Sequence, residues 1–345
     1  MKKLGKYLLD YHYIIIIVVV LLFPLVQSFS FQNLWMRGVN VTNEFELRAA
    51  IDLGDRLIVI NDMIDLESYI QITNHVTIQG SGTITVADQH RHFIVEDGGE
   101  LTLQGNVVLT RKNDYTGHGG GVSVVSGAFI MKGGYITGND WWIMPEAADF
   151  WFGGTGANSG NGGGVILSGS GVFRFYQGTI SENRAIHGGG VYTIGFGRLI
   201  MHGGYISDNQ AKLGGGVYTA GYFMGNLPFG STNGFQMYGG RISNNVAQFI
   251  GGGVYENWSN IGLYGGQISN NNATSDGGVY ALRANINTQM RIFNNEPTNF
   301  NDTHHLLFWQ IITPTPFRLL VVFVVAIIGY IHETKCRTRA SRTLS

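Results

Sequence analysis

The chain has 345 residues, of which 51 are glycine, and only 13% of them are charged. This is roughly twice the glycine and half the charge of an average globular protein, and it excludes long helices because glycine costs about 1 kcal/mol per helical position. The net charge of −1 argues against a nucleic-acid partner, and the 12% aromatic content argues against a disordered chain. An all-β chain rich in turns is the class that remains.

The first segment, residues 1–28, has the pattern of an export signal. Lys2, Lys3 and Lys6 precede an apolar run from Ile14 to Val26. This run is shorter than the about 20 residues of a full membrane span, so the pattern favours a cleaved signal peptide over an uncleaved N-terminal anchor. Both alternatives place the residues that follow outside the cytoplasm.

Residues 29–67 are interpreted as a cap region that precedes the repeats. Asn43 and Glu46 have the spacing of a capping box, and Gly54 can end a helix, so a short helix is predicted between them. Three apolar residues share one face of this helix: Phe45, Ala49 and Leu53. We expect the helix to cover the open edge of the first coil, and a recognition helix is the alternative.

From Gly119 onward one phrase recurs along the chain. It consists of a glycine run, a valine, often a tyrosine, a second short strand ending in Gly-Gly, and Ile-Ser-x-Asn-x-Ala. The clean copies begin at Gly188, Gly214 and Gly251, with a basic period of about 26 residues. Such units have no room for a helix and cannot bury an apolar face alone, so they must stack on their neighbours. Residues 68–300 are therefore predicted to form a parallel β-helix with one coil per repeat.

Stacked coils place equivalent residues in columns, about 4.8 Å apart along the axis. One inward column is expected to contain Val122, Val165, Val191, Val217, Val254 and Val279. A second inward column is expected to contain Ile136, Ile180, Ile206, Ile242 and Ile268. A corner column with left-handed backbone and amide–amide hydrogen bonds is expected to contain Asn139, Asn183, Asn209, Asn245 and Asn271.

The phrases Gly188-Gly-Gly-Val191 and Ile206-Ser-Asp-Asn209 resemble the units of parallel β-helix surface proteins. They are most similar to the repeats of polymorphic outer-membrane and autotransporter-type adhesins. The resemblance covers residues 68–295 and implies a right-handed, single-stranded parallel β-helix of pectin-lyase-like architecture, with a role in adhesion. This chain departs from those families at its C-terminal end, where the pattern is an apolar stretch rather than an alternating-strand barrel.

Residues 306–332 form that apolar stretch, which is interpreted as a single transmembrane segment. Basic residues follow in the tail, residues 333–345, and mark it as cytoplasmic, so the repeats are expected outside the cell membrane. The only cysteine, Cys336, lies in this tail. The exported part is therefore expected to contain no disulfide bond.

Glu182 and Asp208 are the candidate catalytic residues, because they occupy equivalent positions in consecutive coils. Retaining glycosidases place two carboxyl groups about 5–5.5 Å apart, which two stacked coils can approximate. The favoured alternative is a solvated corner, since Gly138, Asn244 and Asn270 continue the same column. The histidines lack the spacing of a zinc site, and no metal or cofactor is predicted.

The candidate ligand-binding residues are aromatic. A tyrosine follows the inward valine in four repeats, and strand alternation turns it outward, which gives a stripe of Tyr192, Tyr218, Tyr255 and Tyr280. This stripe either stabilises neighbouring strands or binds sugar rings. The loop after Asn139 adds Trp141, Trp142 and Trp151, which either bind a ligand or fold onto the flank of the β-helix.

The sequence therefore predicts a membrane-anchored surface β-helix that acts in adhesion or recognition, with glycans or a cell-surface molecule as candidate ligands. The alternatives are a carbohydrate-active enzyme, either a polysaccharide lyase or a glycosidase, and a purely structural surface protein.

Overall fold

The structure is a computed structural model that describes residues 38–54, 56–87, 89–111, 120–141, 160–224, 227–229 and 231–300. The predicted signal peptide, the apolar segment 306–332, the basic tail, Trp142 and Trp151 lie outside the described residues. Within the ranges that are described, no helix has the length and apolar character needed to cross a membrane.

Short parallel strands stack on one another along almost the whole described chain, which confirms the predicted all-β parallel β-helix. The first face stacks β2 (Leu57–Ile60), β5 (His75–Gly80), β8 (Glu100–Leu103), β11 (Ala128–Thr137), β14 (Val172–Ser181), β17 (Arg198–Met201), β23 (Ser231–Met237), β27 (Ser259–Leu263) and β30 (Ala284–Ile286). The second face stacks β3 (Met63–Leu66), β6 (Thr83–Val86), β9 (Val108–Leu109), the C-terminal parts of β11 and β14, β18 (Tyr205–Ser207), β24 (Arg241–Ser243), β28 (Gln267–Ser269) and β31 (Arg291–Phe293).

The third face stacks β4 (Ile70–Ile72), β7 (Phe93–Val95), β10 (Val122–Val124), β13 (Val165–Leu167), β16 (Val191–Ile194), β20 (Val217–Ala220), β26 (Val254–Asn257) and β29 (Val279–Tyr280). Between the second and third faces run β12 (Asp140–Trp141), β15 (Arg184–Ala185), β19 (Gln210–Leu213) and β25 (Val246–Ile250). The remaining elements are β1 (Val39–Val41), which pairs with β2, helix α1 (Glu44–Asp52), and an antiparallel pair of β21 (Tyr222–Met224) and β22 (Leu227–Phe229).

The predicted apolar columns form the core of the β-helix. All six valines pair in register on the third face, and Phe93 and Ile70 continue their column toward the N-terminus. The isoleucine column runs in the same way along the second face, from Ile136 to Ile268, and extends to Ile292. Every valine and isoleucine of the two predicted columns is fully buried.

The asparagine ladder, from Asn139 through Asn271, also forms and continues through Asn295 to Asn299. Each Nδ2 donates to the Oδ1 of the next asparagine at 2.9–3.0 Å, and that Oδ1 also accepts a backbone N–H. The expected left-handed backbone lies one residue earlier, at Gly138, Glu182, Asp208, Asn244, Asn270 and Asn294. The turn therefore precedes each ladder asparagine, whose side chain is directed into the buried corner.

Helix α1 begins after the predicted cap Asn43 and ends at Asp52, with the predicted Gly54 just beyond it, but it buries a different face from the one predicted. Asn43 Oδ1 accepts the N–H of Glu46 at 3.0 Å, and Gly54 has a φ of +77°. Leu47, Ala50 and Ile51 are the buried residues of the helix. The predicted face was wrong, because Phe45 and Leu53 are both 82% exposed. Arg48 also holds the helix to the chain before β4, since its guanidinium donates to the carbonyl oxygens of Ser68 and Tyr69.

Two basic side chains are buried at the corner that precedes β7. Arg91 is 1% exposed and donates to the carbonyl oxygens of Asn161 and Gly162 at 2.6 and 2.8 Å. His92 is fully buried, and its ring nitrogens lie 2.9–3.3 Å from the carbonyl oxygens of Thr110, Ile84 and Gly120. Burial, together with the charge of Arg111, lowers the pKa of His92 to about 4 despite these carbonyl groups.

We expect the folded state to lose stability in mild acid because of His92. Its folded-state pKa is lower than the unfolded value, so the unfolded chain binds the proton more tightly. The contribution is complete above pH 6.5 and is lost as the pH falls toward 4, with about 2 kcal/mol lost by pH 5. Denaturant midpoints between pH 8 and pH 5 measure this loss.

The control for this prediction is the exposed histidine His75, whose side chain is 71% exposed. A His75→Gln variant should keep the pH dependence, whereas His92→Gln should lower the midpoint at pH 8 and flatten its decline. An equal decline in both variants would show that His92 is not the group responsible.

Candidate functional site

The predicted tyrosine stripe forms a stacked column on the third face, but it is largely covered. Successive rings of Tyr192, Tyr218, Tyr255 and Tyr280 lie 5.0–5.1 Å apart between centroids. Tyr192 and Tyr218 are only 1% and 2% exposed, and Tyr255 and Tyr280 are half-buried. Burial leaves little ring surface for a ligand at Tyr192 and Tyr218, and binding by this stripe stays a prediction at Tyr255 and Tyr280.

An apolar cluster on the outer side of the third face encloses the rings of Tyr192 and Tyr218. Tyr192 and Tyr218 pack in one cluster with Ile166, Leu213 and Ala220, and Ile250 adds to its edge. Leu213 and Ile250 end β19 and β25, which carry the chain past the corner before the third face. The burial raises the pKa of Tyr255 to about 12, and that of Tyr218 further. At Tyr192 and Tyr218 the burial favours the alternative in which the rings stabilise neighbouring strands.

The predicted tryptophan loop is described only at its start. Trp141 lies in β12, where its backbone pairs with Ala185, while Trp142 and Trp151 lie outside the described residues. The contribution of these three residues to binding stays a prediction.

The candidate catalytic pair lies on an exposed corner. Glu182 and Asp208 both have left-handed backbone, with φ of +56° and +59°, and both side chains are exposed. The nearby Arg184 pairs with Asp140 at 3.5 Å. The described residues contain no group of three or more His, Cys, Asp and Glu arranged to hold a metal ion.

Glu256 is a buried carboxylate that the sequence reasoning missed. It faces the interior in register with Thr219 and accepts backbone N–H groups from Ser259, Leu282 and Arg283 at 2.6–2.9 Å. Burial raises its pKa, against the effect of these donors. Its oxygens accept backbone N–H groups from its own coil and from the next one, so the carboxylate joins two coils in the interior rather than facing a ligand.

An exposed aromatic ladder, formed by Tyr176, His202, Tyr238 and Tyr264, runs along the C-terminal ends of the first-face strands. Its successive ring centroids are 4.9, 5.3 and 5.0 Å apart, with interplanar angles of 8°, 13° and 23°. Tyr176 is 39% and Tyr238 is 48% exposed, His202 is also exposed, and Tyr264 is half-buried. This is the most open stacked aromatic group on the described part of the chain.

The sequence does contain a signal for this ladder, although a weaker one than that of the tyrosine column. His202, Tyr238 and Tyr264 each directly precede the Gly-Gly pair that ends the first-face segment of a repeat. In the copy at Tyr176, Gln177 separates the ring from Gly178, where the pairing of β11 with β14 also shifts register. The mixture of tyrosine and histidine further obscures the column.

Stacking determines which part of these rings a ligand can reach. His202 and Tyr238 have a ring neighbour on both faces, so their exposed surface is mainly ring edge, with the imidazole nitrogens or the phenol hydroxyl. Only the end rings, Tyr176 and Tyr264, have a face without a neighbour in the ladder. The ladder is thus suited to edge contacts and hydrogen bonds with an extended ligand, and less suited to face-on stacking of successive rings.

The fold and this surface define the chain as a parallel β-helix protein with an exposed aromatic ladder on its first face. Comparison with protein families, with curated proteins and with solved structures gives no significant match.

Proposed function

We propose that this chain is a surface-displayed recognition protein, of the right-handed pectin-lyase-like class, that binds a linear glycan along the exposed aromatic ladder. The observation that carries the proposal is the exposure of Tyr176, His202 and Tyr238 in one continuous row, whereas the tyrosine column of the third face is largely covered. Aromatic rings at the surface leave apolar area exposed to water, whereas the rings of Tyr192 and Tyr218 do not. The position of the ladder therefore favours contact with a ligand.

The chemistry of the row supports a carbohydrate as the ligand. Phenol hydroxyl groups and imidazole nitrogens both donate and accept hydrogen bonds, as sugar hydroxyl groups do, and ring edges provide apolar contact. The rings repeat once per coil along the axis, as the units of a linear polymer repeat along its length. In this proposal residues 306–332 anchor the chain in the cell membrane with the repeats outside, so that the ladder is displayed to the surroundings.

The double variant His202→Ala/Tyr238→Ala tests this proposal. Hot-spot aromatic contacts contribute about 1–3 kcal/mol each. We therefore expect the double variant to bind at least tenfold more weakly than the natural chain to those linear polysaccharides that the natural chain binds. The measurement is binding to an immobilised panel of neutral and acidic linear polysaccharides. Tyr238→Phe, which removes only a hydroxyl group, should lose less.

The matched control is Tyr69→Ala, which removes a 43% exposed tyrosine from a different part of the surface. It should bind as the natural chain does, and all variants should keep their thermal midpoint within a few degrees. Undiminished binding by the folded double variant would overturn the role of the ladder.

A further inference from the structure

The strands around the exposed aromatic ladder contain basic residues and no acidic ones. From β11 onward, no aspartate or glutamate occurs in any described strand of the first or second face. The same strands contain five basic residues: Lys132, Arg174, Arg198, Arg241 and Arg291. The whole chain has a net charge of −1, so this local excess is not a consequence of a basic composition.

Three of the five basic residues lie near the ladder in the repeat. Arg174 precedes Tyr176 by two residues on β14 and therefore points to the same side. Arg241 follows Tyr238 by three residues, across the bend at Gly239 and Gly240. Lys132 lies on β11, one coil before the ladder.

These cations lack the carboxylate partners that other arginines have. None of Lys132, Arg174, Arg198 and Arg241 forms an ion pair with any described residue, whereas Arg48 pairs with Glu44 and Arg184 with Asp140. Lys132, Arg198 and Arg241 are exposed, and Arg174 is half-buried.

The described carboxylates of these coils lie elsewhere. Glu182 and Asp208 occupy the corner beyond the second face, and Glu256 is enclosed in the interior. Among the described residues, the first-face and second-face strands beside the ladder thus carry positive side chains in three successive coils, at Arg174, Arg198 and Arg241, and no carboxylate. Such a surface attracts and orients anions.

We propose that the ligand of the exposed aromatic ladder is an acidic linear polysaccharide, with carboxylate or sulfate groups that bind the flanking Arg174 and Arg241. This inference rests on the proposed function and adds the charge of the ligand. Guanidinium groups pair with both kinds of anion in two-point geometry, while the ring edges contact the sugar backbone between the charged groups.

A single-stranded nucleic acid is the other linear polyanion, and the ladder fits it less well. Proteins hold such strands by stacking bases on the faces of aromatic side chains. In the ladder the faces of His202 and Tyr238 are already occupied by neighbouring rings. A sugar chain requires only edges and hydroxyl groups, which remain available.

The test compares ligands that differ only in charge. Hyaluronate, alginate and heparin are each measured beside a carboxyl-reduced or desulfated form, together with a dT oligonucleotide. At least one acidic polysaccharide should bind at least tenfold more tightly than its neutral form, and added salt should weaken that binding. The double variant Arg174→Gln/Arg241→Gln should weaken it at least tenfold without weakening binding of the neutral form.

The control is Arg56→Gln/Arg184→Gln, which makes the same charge change away from the ladder and should keep its affinity within about threefold. Equal binding of acidic and neutral forms, with no loss in the ladder-side arginine variant, would overturn the acidic ligand and leave the proposed function intact. Binding of dT as tight as that of every polysaccharide, with the same arginine dependence, would overturn the assignment to polysaccharides. Absence of binding to every polysaccharide would overturn both proposals.

Discussion

Replacement of Asn209 by alanine is expected to destabilise the folded chain by at least about 3 kcal/mol. The Asn209 carboxamide donates to Asn245 Oδ1 and to the Ile180 carbonyl oxygen, and its oxygen accepts two bonds from Asn183. All of these groups are buried. The truncation removes the side-chain acceptor of the Asn183 N–H and takes one bond each from Asn183 Nδ2, Asn245 Oδ1 and the Ile180 carbonyl oxygen. Each such buried group costs about 1–3 kcal/mol.

Denaturant unfolding, followed by circular dichroism, measures this effect. The matched control is Asn272→Ala. Asn272 is an exposed asparagine in the corresponding segment two coils later, and it lies outside the asparagine ladder. Asn209→Asp has nearly the same shape but removes the donor and adds a buried charge, so it should be at least as harmful as alanine. A loss below about 1 kcal/mol in Asn209→Ala would mean that neighbouring coils relax enough to restore the bonds.

The substitution Gly215→Ala is expected to cost about 3 kcal/mol or more, because a Cβ at this position has no space. It would lie 2.6 Å from the carbonyl oxygens of both Gly252 and Val246, which belong to the backbone of the next coil. Relief of this overlap requires the two coils to separate, which also weakens the hydrogen bond from the Gly215 N–H to the Gly251 carbonyl oxygen.

Gly98→Ala provides a comparison in which only backbone conformation changes. Gly98 has a φ of +79°, and a Cβ there would meet nothing within 4 Å. Its replacement should cost about 1–2 kcal/mol, the ordinary penalty for left-handed backbone. Similar midpoints for both variants would show that the coils accommodate the Cβ at Gly215 without separating.

The columns of the core were predictable because a β-helix repeats one set of contacts in every coil. A residue that recurs at the coil period must face its own equivalents, so Val191 and Val217, or Asn183 and Asn209, could be paired without knowledge of the rest of the structure. The periodicity does not specify the path of the corner, which is why the left-handed residue was placed at Asn209 instead of Asp208.

The candidate site was only partly predictable, since burial outside the coil depends on elements distant in sequence. Alternation correctly turns Tyr218 away from the interior, but it does not show that Leu213 and Ala220 pack with it. For the same reason α1 buries Leu47 rather than Phe45, because the position of the first coil decides which helical face is covered. The exposed aromatic ladder was missed because its members vary in type and one copy is shifted at Tyr176.

The asparagine ladder is directional, and this has a consequence for how such a chain can evolve. Within the ladder, every carboxamide donates to the asparagine of the next coil toward the C-terminal end, so each coil offers the next an identical donor and meets an identical acceptor there. Removal of the segment from Gly188 to Leu213 would bring Asn183 to face Asn245. Gly214 would then take the place of Gly188, and the two glycines have nearly the same φ, +63° and +62°. Whole coils are thus interchangeable parts, and duplication or deletion in the gene can alter the length of the β-helix while preserving its internal bonding.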